Sequence, residues 1–361
     1  MARFRPHGLK VLFGPLTVKL FLAGFWMVRP GLPISNAAGV PTNINKVVVV
    51  IEENRSYADV IGNQSNVNLT PAPYINTLSR GGANFTNATE IISSPSQPNY
   101  IAFFSGSDQG ITDNNVHPRI NAPNLASELI AVGKTFIGYS QSMPSDGSEV
   151  ATSGNYARKH NPMTQFSNIT TTGTAAGSSS PVSKVFNTTN FPTASGTNYS
   201  FLPTVSFVVP DLQNDMHDGS ILQGDTWLQA NLGEYVTWAN THNSLLILTF
   251  DEGNTSNGNP QVPTIFYGPM VVPGNYNESI SNLNVLRTIE NMYGTSHAGA
   301  AATSLPITDV WIVPAPEPST FVLGLVGGIV LLAMTMCRRQ RTVSSKIAQA
   351  HSILHSSRTP L

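Results

Sequence analysis

Cysteine is almost missing from this chain: its 361 residues include one, Cys337. A single thiol excludes an intramolecular disulfide framework and a cysteine-based zinc cluster. Its place at the end of an apolar C-terminal segment argues against a catalytic thiol. Charge is scarce as well. Only 11% of the residues are charged and the net charge is −1, which leaves no basic face for nucleic acid. No period of internal repetition is visible, so a repeat array is excluded. In their place stand Asn, Ser, Thr, Gly and Pro, a composition of ordered polar loops and of a life outside the cytoplasm. At this length the chain buries a full core, as one large domain or two small ones.

Both ends read as addresses. Arg3, Arg5 and Lys10 precede the apolar "LFLAGFWMV" and the small residues "SNAAG", the order of a long signal peptide over residues 1–38, with an uncleaved anchor as the alternative. At the other end, Pro316-Glu317-Pro318 precedes an apolar run from Phe321 to Met336 and then Arg338, Arg339 and Arg341. That run has about the minimum length of a membrane helix, with the basic cluster holding its end in the cytoplasm. The segment 314–341 resembles the PEP-CTERM sorting signal of Gram-negative bacteria, which implies an exosortase-type processing enzyme as partner. A short polar tail, 342–361, follows the Arg cluster, whereas such signals end near it. A permanent single-pass anchor is therefore the alternative. Either way the body, 39–313, is expected outside the cytoplasm.

Within the body, "KVVVVIEEN" is a β-branched run that suits a central parallel strand covered on both faces. "APYINTLSRGG" reads as a helix, "SQPNYIAFFSG" as a turn entering a helix near Pro98, and "NLASELIAVG" as an amphipathic helix before the strand "TFIGYSQ". Residues 142–200 are polar and read as an excursion over the site. The strand "TVSFVVPD", a long helix from Gly224, the strands "SLLILTFDEGN" and "PTIFYGP" and the helix "NVLRTIENMYG" complete the order. On that helix from Gly224, Trp227, Leu228, Leu232, Tyr235 and Trp238 recur at helical spacing and read as core. Alternating strands and helices predict one α/β domain with a mostly parallel sheet and helices on both faces.

Three apolar strands end in acids: Glu52-Glu53-Asn54, Asp211, and Asp251-Glu252. In open α/β sheets, ligands bind beyond the carboxyl ends of the strands. Acids converging there repel one another unless a cation joins them, so a divalent metal ion is expected. Ser96 lies just before the predicted helix start, where a phosphate or oxyanion would meet free N–H groups, although an ordinary capping serine occupies the same place. Asn99 in that turn is a candidate amide donor to the phosphate. His217, beside Asp215 and Asp218, is either a general acid or a metal ligand. His160 stands with Arg158 and Lys159 in a basic patch suited to an anionic substrate. Arg287 is expected to pair with an acid or to cap the back wall of the site, and His242 and His297 are left structural.

In order along the chain stand EENRSY, SQPNYIAFFSG, RKHNP, PDLQNDMHDGS with GDTWL, TFDEG, PTIFYGP and LRTIENMYG. Together they resemble the phosphoesterase family that includes bacterial acid phosphatases and phospholipases C, within the alkaline-phosphatase-like superfamily, over residues 46–312. The resemblance implies an alkaline-phosphatase-like fold and metal-dependent hydrolysis of phosphate esters through a phosphoserine. Carried onto this sequence, Glu53 and Asn54 are the first metal-binding pair, Ser96 is the nucleophile, and Asp251 with Glu252 is the second acidic strand end. His217 and Asp218 match the histidine loop, with His217 protonating the leaving alcohol, and His160 matches the basic loop facing the phosphate. Relatives carry a histidine shortly before the LRTIE helix where this chain has Asn282, a weaker metal or outer ligand. Phosphate monoesters are the first expected substrates. Phospholipase C-type diester cleavage, or a weakened surface binding protein, are the alternatives.

Overall fold

The computed structural model describes residues 39–42, 44–62, 70–169, 182–254, 258–312, 331–336, 338–339 and 341–349. The expected signal peptide, the Pro-Glu-Pro motif and most of the apolar run from Phe321 lie outside the described residues. Among those described, no helix is long and apolar enough to cross a membrane.

Eight strands form the main sheet: β1 (Val47–Glu52), β2 (Ala83–Phe85), β3 (Phe136–Ser140), β4 (Ser183–Val185), β5 (Val205–Val209), β6 (Leu245–Phe250), β7 (Thr264–Tyr267) and β8 (Gly274–Tyr276). Their spatial order is β8-β2-β7-β6-β1-β5-β3-β4. Only β7 runs against the others. The mostly parallel α/β sheet expected from the alternation is thus observed. β1 is central, with Val47 paired to Val205 on one side and to Leu245 on the other. All six of its residues are buried, as are those of β5 and β6. Burial on both faces explains why these strands read as unbroken apolar runs rather than as alternating ones.

The helices are α1 (Tyr57–Val60), α2 (Pro73–Gly81), α3 (Ser96–Ser105), α4 (Leu125–Ala131), α5 (Ile221–Ala239) and α6 (Asn282–Tyr293). α2 packs with α5, while α6 packs with both α3 and α4. The α5 stripe is core: Leu228, Leu232 and Tyr235 are fully buried. Under α3 an aromatic cluster forms from Phe103, Phe104, Phe136, Phe166 and Phe207, with ring centroids 5.3–5.8 Å apart. Such edge and tilted contacts hold α3 rigidly over β3 and β5.

Three expectations change. α3 begins at Ser96, two residues before Pro98, because a proline in the first turn lacks only an N–H that has no helical acceptor anyway. The polar excursion after β3 supplies β4, a short edge strand too polar to be seen as one in the sequence. Among the described residues Arg287 forms no ion pair with an acid. Its guanidinium donates to Asn291 Oδ1 and to the carbonyls of Ala301 and Ala302, pinning the chain after α6.

Candidate active site

The site lies beyond the carboxyl ends of β1 and β6, which are neighbours in the sheet. Asp251 N donates to Glu52 O at 3.0 Å, so parallel pairing runs to the last residue and delivers both acids together. Past β1 the chain reverses at Asn54, whose φ of 52° lies in the left-handed region that asparagine tolerates better than most residues. Glu53 N donates to Asp215 O, and Arg55 donates to the carbonyls of Met216 and Gly219. The loop 211–219 is thereby laced to the end of β1. At Gly219 the loop folds onto itself so closely that a Cβ would stand 1.8 Å from the Gln213 carbonyl oxygen.

Asp211 does not join the acid cluster. Its carboxylate accepts from Ser142 Oγ at 2.6 Å and from the amides of Gln213 and Asn214, so it shapes the loop. Asp215 is the acid that the loop delivers. Glu52 also stands apart: it is fully buried and burial, with Asp215, Asp225 and Glu53 nearby, holds its carboxyl well above the usual range.

Ser96 is the first residue of α3, and Pro95 takes the N-cap position, so the hydroxyl is no capping group. Ser96 Oγ instead lies 3.2 Å from Glu53 Oε2 and 3.4 Å from Glu252 Oε1, buried between two carboxyls. One oxygen from each of Glu53, Asp251 and Glu252 falls within 4.8 Å of the others. Burial, reinforced by Glu53 and Glu252, holds Asp251 well above the usual carboxylate range. Burial and the charges of Glu53 and Glu90 push Glu252 up to about 7. Glu53 behaves differently. Burial raises it, but the fields of His160, His217 and Lys159 prevail and keep it below its ordinary value.

Whether these residues suit a cation is decided by their unsatisfied atoms. Glu53 Oε1, Asn54 Oδ1 and both carboxylate oxygens of Asp251 are buried and make no hydrogen bond of proper geometry among the described residues. Buried polar atoms are nearly always partnered. The acid oxygens among them come from carboxylates that converge within 4.8 Å, Asn54 follows Glu53 directly, and all are hard donors, which fits a divalent cation of the magnesium, manganese or calcium kind.

His160 does not face an open phosphate site. Its Nε2 lies 3.0 Å from Glu53 Oε1 and its Nδ1 3.2 Å from Asp215 Oδ2, and its ring stacks on Tyr100 at 5.2 Å. Burial opposes its charge, yet Glu53 and Asp215 carry its pKa up to about 9. Lys159, one residue earlier on the same 3-10 turn, reaches the partly exposed side: its Nζ is 3.0 Å from His217 Nε2. An ammonium only donates, so His217 Nε2 accepts, and His217 Nδ1 donates to Asp218 Oδ1 at 2.7 Å. The sequence reading of His217 as the proton donor thus meets a second donor, Lys159, at the same contact.

Two further assignments are corrected. The Asn99 amide donates to the Ile92 carbonyl at 2.8 Å and, at 3.4 Å, to Pro95 O and Glu252 Oε2, while its oxygen accepts from Ile92 N, so it ties the turn before α3 to the acid cluster, its donors taken by these acceptors instead of by a phosphate. Asn282 accepts from Thr249 Oγ1 at 2.8 Å and donates to Phe250 O at 2.9 Å. It staples α6 to the end of β6, and its oxygen is already engaged by Thr249. Sequence reasoning named Lys159 and Asp215 without a role of their own, and passed over Tyr100. The first two were signalled only by their closeness to His160 and His217. Tyr100, one helical turn after Ser96, gave no signal beyond that spacing.

The phosphoesterase family model matches residues 68–296. The chain is 47% identical over 276 residues to phosphatidylinositol-3-phosphatase of Mycobacterium tuberculosis, covering 76% of this chain and 85% of that protein. It is 28% identical over 238 residues to the phosphate-repressible acid phosphatase of Penicillium chrysogenum, covering 63% of this chain. It spans about half the length of that fungal enzyme, 52%. Among solved structures, a protein of the alkaline phosphatase superfamily from Vibrio parahaemolyticus covers 76% of this chain and 73% of its own, with a TM-score of 0.48 and 11% identity. With its sequence match running from before α2 to beyond α6, the chain belongs to the phosphoesterase family, whose members are hydrolases of phosphoric ester bonds.

Proposed function

We propose that the protein hydrolyses phosphate monoesters outside the cytoplasm, with Ser96 as nucleophile and a phosphoserine as intermediate. The observation that carries this reading is the burial of Ser96 Oγ between Glu53 and Glu252, at the start of a helix and beside unsatisfied oxygens. Ser96 gives up its proton to solvent as its oxygen bonds to phosphorus and the ester oxygen departs. The departing alkoxide takes a proton from solvent, and Lys159, beside His217, supplies positive charge to the site. Water then cleaves the phosphoserine, releasing phosphate and restoring Ser96. Glu53, Asn54, Asp251 and Glu252 would hold a divalent cation, which when bound supplies positive charge to the phosphoryl oxygens and acidifies the Ser96 hydroxyl. The name of the mycobacterial relative, a phosphatase of a lipid headgroup, supports monoesters over phospholipase C-type diesters. A binding protein without turnover is the alternative, favoured if no phosphate ester is cleaved despite bound metal.

The measurement is phosphate release from an aryl monoester. Ser96→Ala is expected to lose at least about a thousandfold in turnover with an unchanged circular dichroism spectrum, and chelation to abolish wild-type activity. Near-normal turnover in Ser96→Ala would sink the nucleophile assignment. The extracytoplasmic location, with processing of residues 1–38 and of the tail after Pro318, is checked by the intact mass of the protein from its host. Retention of residues 319–361 in a membrane fraction would mean a permanent anchor.

A further inference from the structure

Each histidine of the site has an aspartate at Nδ1, and the two differ at Nε2. His160 presents Nδ1 to Asp215 at 3.2 Å and Nε2 to Glu53 at 3.0 Å. His217 presents Nδ1 to Asp218 at 2.7 Å and Nε2 to the Lys159 ammonium at 3.0 Å. A carboxylate on one ring nitrogen orients the imidazole and raises the basicity of the other nitrogen, which is how proteins prepare histidine to meet a cation. The rings are 5.5 Å apart, and one ligand atom each from Glu53, His160 and His217 falls within 4.8 Å of the others. His160 Nε2 and Glu53 Oε1 are buried and, though close, out of line for a hydrogen bond with each other. This is a second cation set, sharing Glu53 with the first. The cation standing against it is a side chain of the protein itself. The positive field of Lys159 reaches both Glu53 and Glu252.

We infer that Lys159 is the second cation of the active site: its ammonium takes the place that a second divalent ion would fill among Glu53, His160 and His217, and it binds an oxygen of the substrate's phosphoryl group. The inference rests on the reading above, in which Glu53, Asn54, Asp251 and Glu252 take one ion. One divalent ion and one ammonium then balance the three carboxylates Glu53, Asp251 and Glu252, while the His160 imidazolium balances Asp215. A lysine also differs from a metal in what it does for substrate. It is a point charge on a flexible stem, with three donors, so it follows the phosphoryl group and releases the product without a coordination bond to break.

The test counts ions on the full-length protein, stripped of metal, incubated with excess Zn²⁺ or Mn²⁺ and desalted, by plasma mass spectrometry. Competitive inhibition by inorganic phosphate is measured at saturating Mn²⁺. Wild type is expected to hold one ion per chain. Lys159→Met is expected to hold two with Zn²⁺ and to bind phosphate at least about tenfold more weakly with Mn²⁺. Lys159→Arg is expected to keep one ion and to recover much of the phosphate affinity. Two ions on the wild type, or one ion on Lys159→Met, overturns the inference while leaving the single-metal reading intact. No ion on the wild type overturns both. Thermal melting of each variant shows that the count is taken on folded protein.

Discussion

Beyond β1 and β6, Glu53, Asp215, Asp251 and Glu252 are buried together with His160, and Lys159 and His217 stand beside them. Between α4 and α6, far simpler company surrounds Glu128 and Glu290, which are also buried. Ser296 Oγ donates to Glu128 Oε1 and Ala298 N to Glu290 Oε1, and the second oxygen of each acid has no partner unless one carboxyl carries a proton. Burial, then the repulsion of Glu128, pushes Glu290 up to about 8, so this pair shares a proton near neutrality. At the strand ends the same burial acts on Glu53, yet the surrounding cations hold it ionised. A proton settles one region. The other keeps an ionised acid and unsatisfied oxygens, and that difference separates a site from a structural pair.

The largest effect should come from Asp251→Asn. It removes a carboxylate whose neighbours repel it, so without metal the variant should melt above wild type at pH 8. With saturating Mn²⁺ it should melt below wild type, and its metal affinity should fall at least about a hundredfold. Melting below wild type under both conditions would mean that Asp251 is a structural acid like Glu290. The pH dependence follows the same logic. Asp251 and Glu252 have folded pKa values above their unfolded ones, so the stability that they permit is present in acid and lost as pH rises through the folded value, about 7 for Glu252. Chelated protein should therefore gain stability from pH 8 to pH 5.

Asn282→His tests where the site ends. Losing the bonds to Thr249 and Phe250 should destabilise the fold by about 1–3 kcal/mol without tightening metal binding. Tighter Mn²⁺ binding by calorimetry would bring position 282 into the site. The smallest effect is expected for Glu290→Gln. Because the folded pKa of Glu290 is raised, its penalty is absent below about pH 4 and grows as pH rises through about 8. The variant should gain about 2–4 °C in Tm at pH 9 and nothing at pH 4. A loss of stability at pH 9 would show that the carboxylate, not the shared proton, holds the segment around Ser296.

The central strands were legible because β-branched residues buried on both faces leave an unbroken run, and the acids after β1 and β6 were legible because those strands end abruptly in charge. The same reasoning misplaced Asp211. An aspartate after a strand also folds its own loop by accepting from nearby amides, and only the structure separates that use from the one that Asp215 serves. The environment of His160 was hidden in "RKHNP", since its partners come from residues 53, 100 and 215. β4 stayed hidden because an edge strand needs no apolar pattern.

The central place of β1 has a consequence for biosynthesis. Val47 pairs with Val205 and Leu245, so the first strand made gains its neighbours only after some 150 further residues. At translation rates of about 5–20 residues per second, "VVVVI" waits on the order of 10 s without a partner. A β-branched run of that kind, left open, invites pairing with another copy of itself. Lys46 on one side and Glu52 with Glu53 on the other put charge at both ends of the run. The carboxylates that gather at the finished sheet thus also put like charge beside the run in the unfolded chain, which disfavours its pairing with another copy.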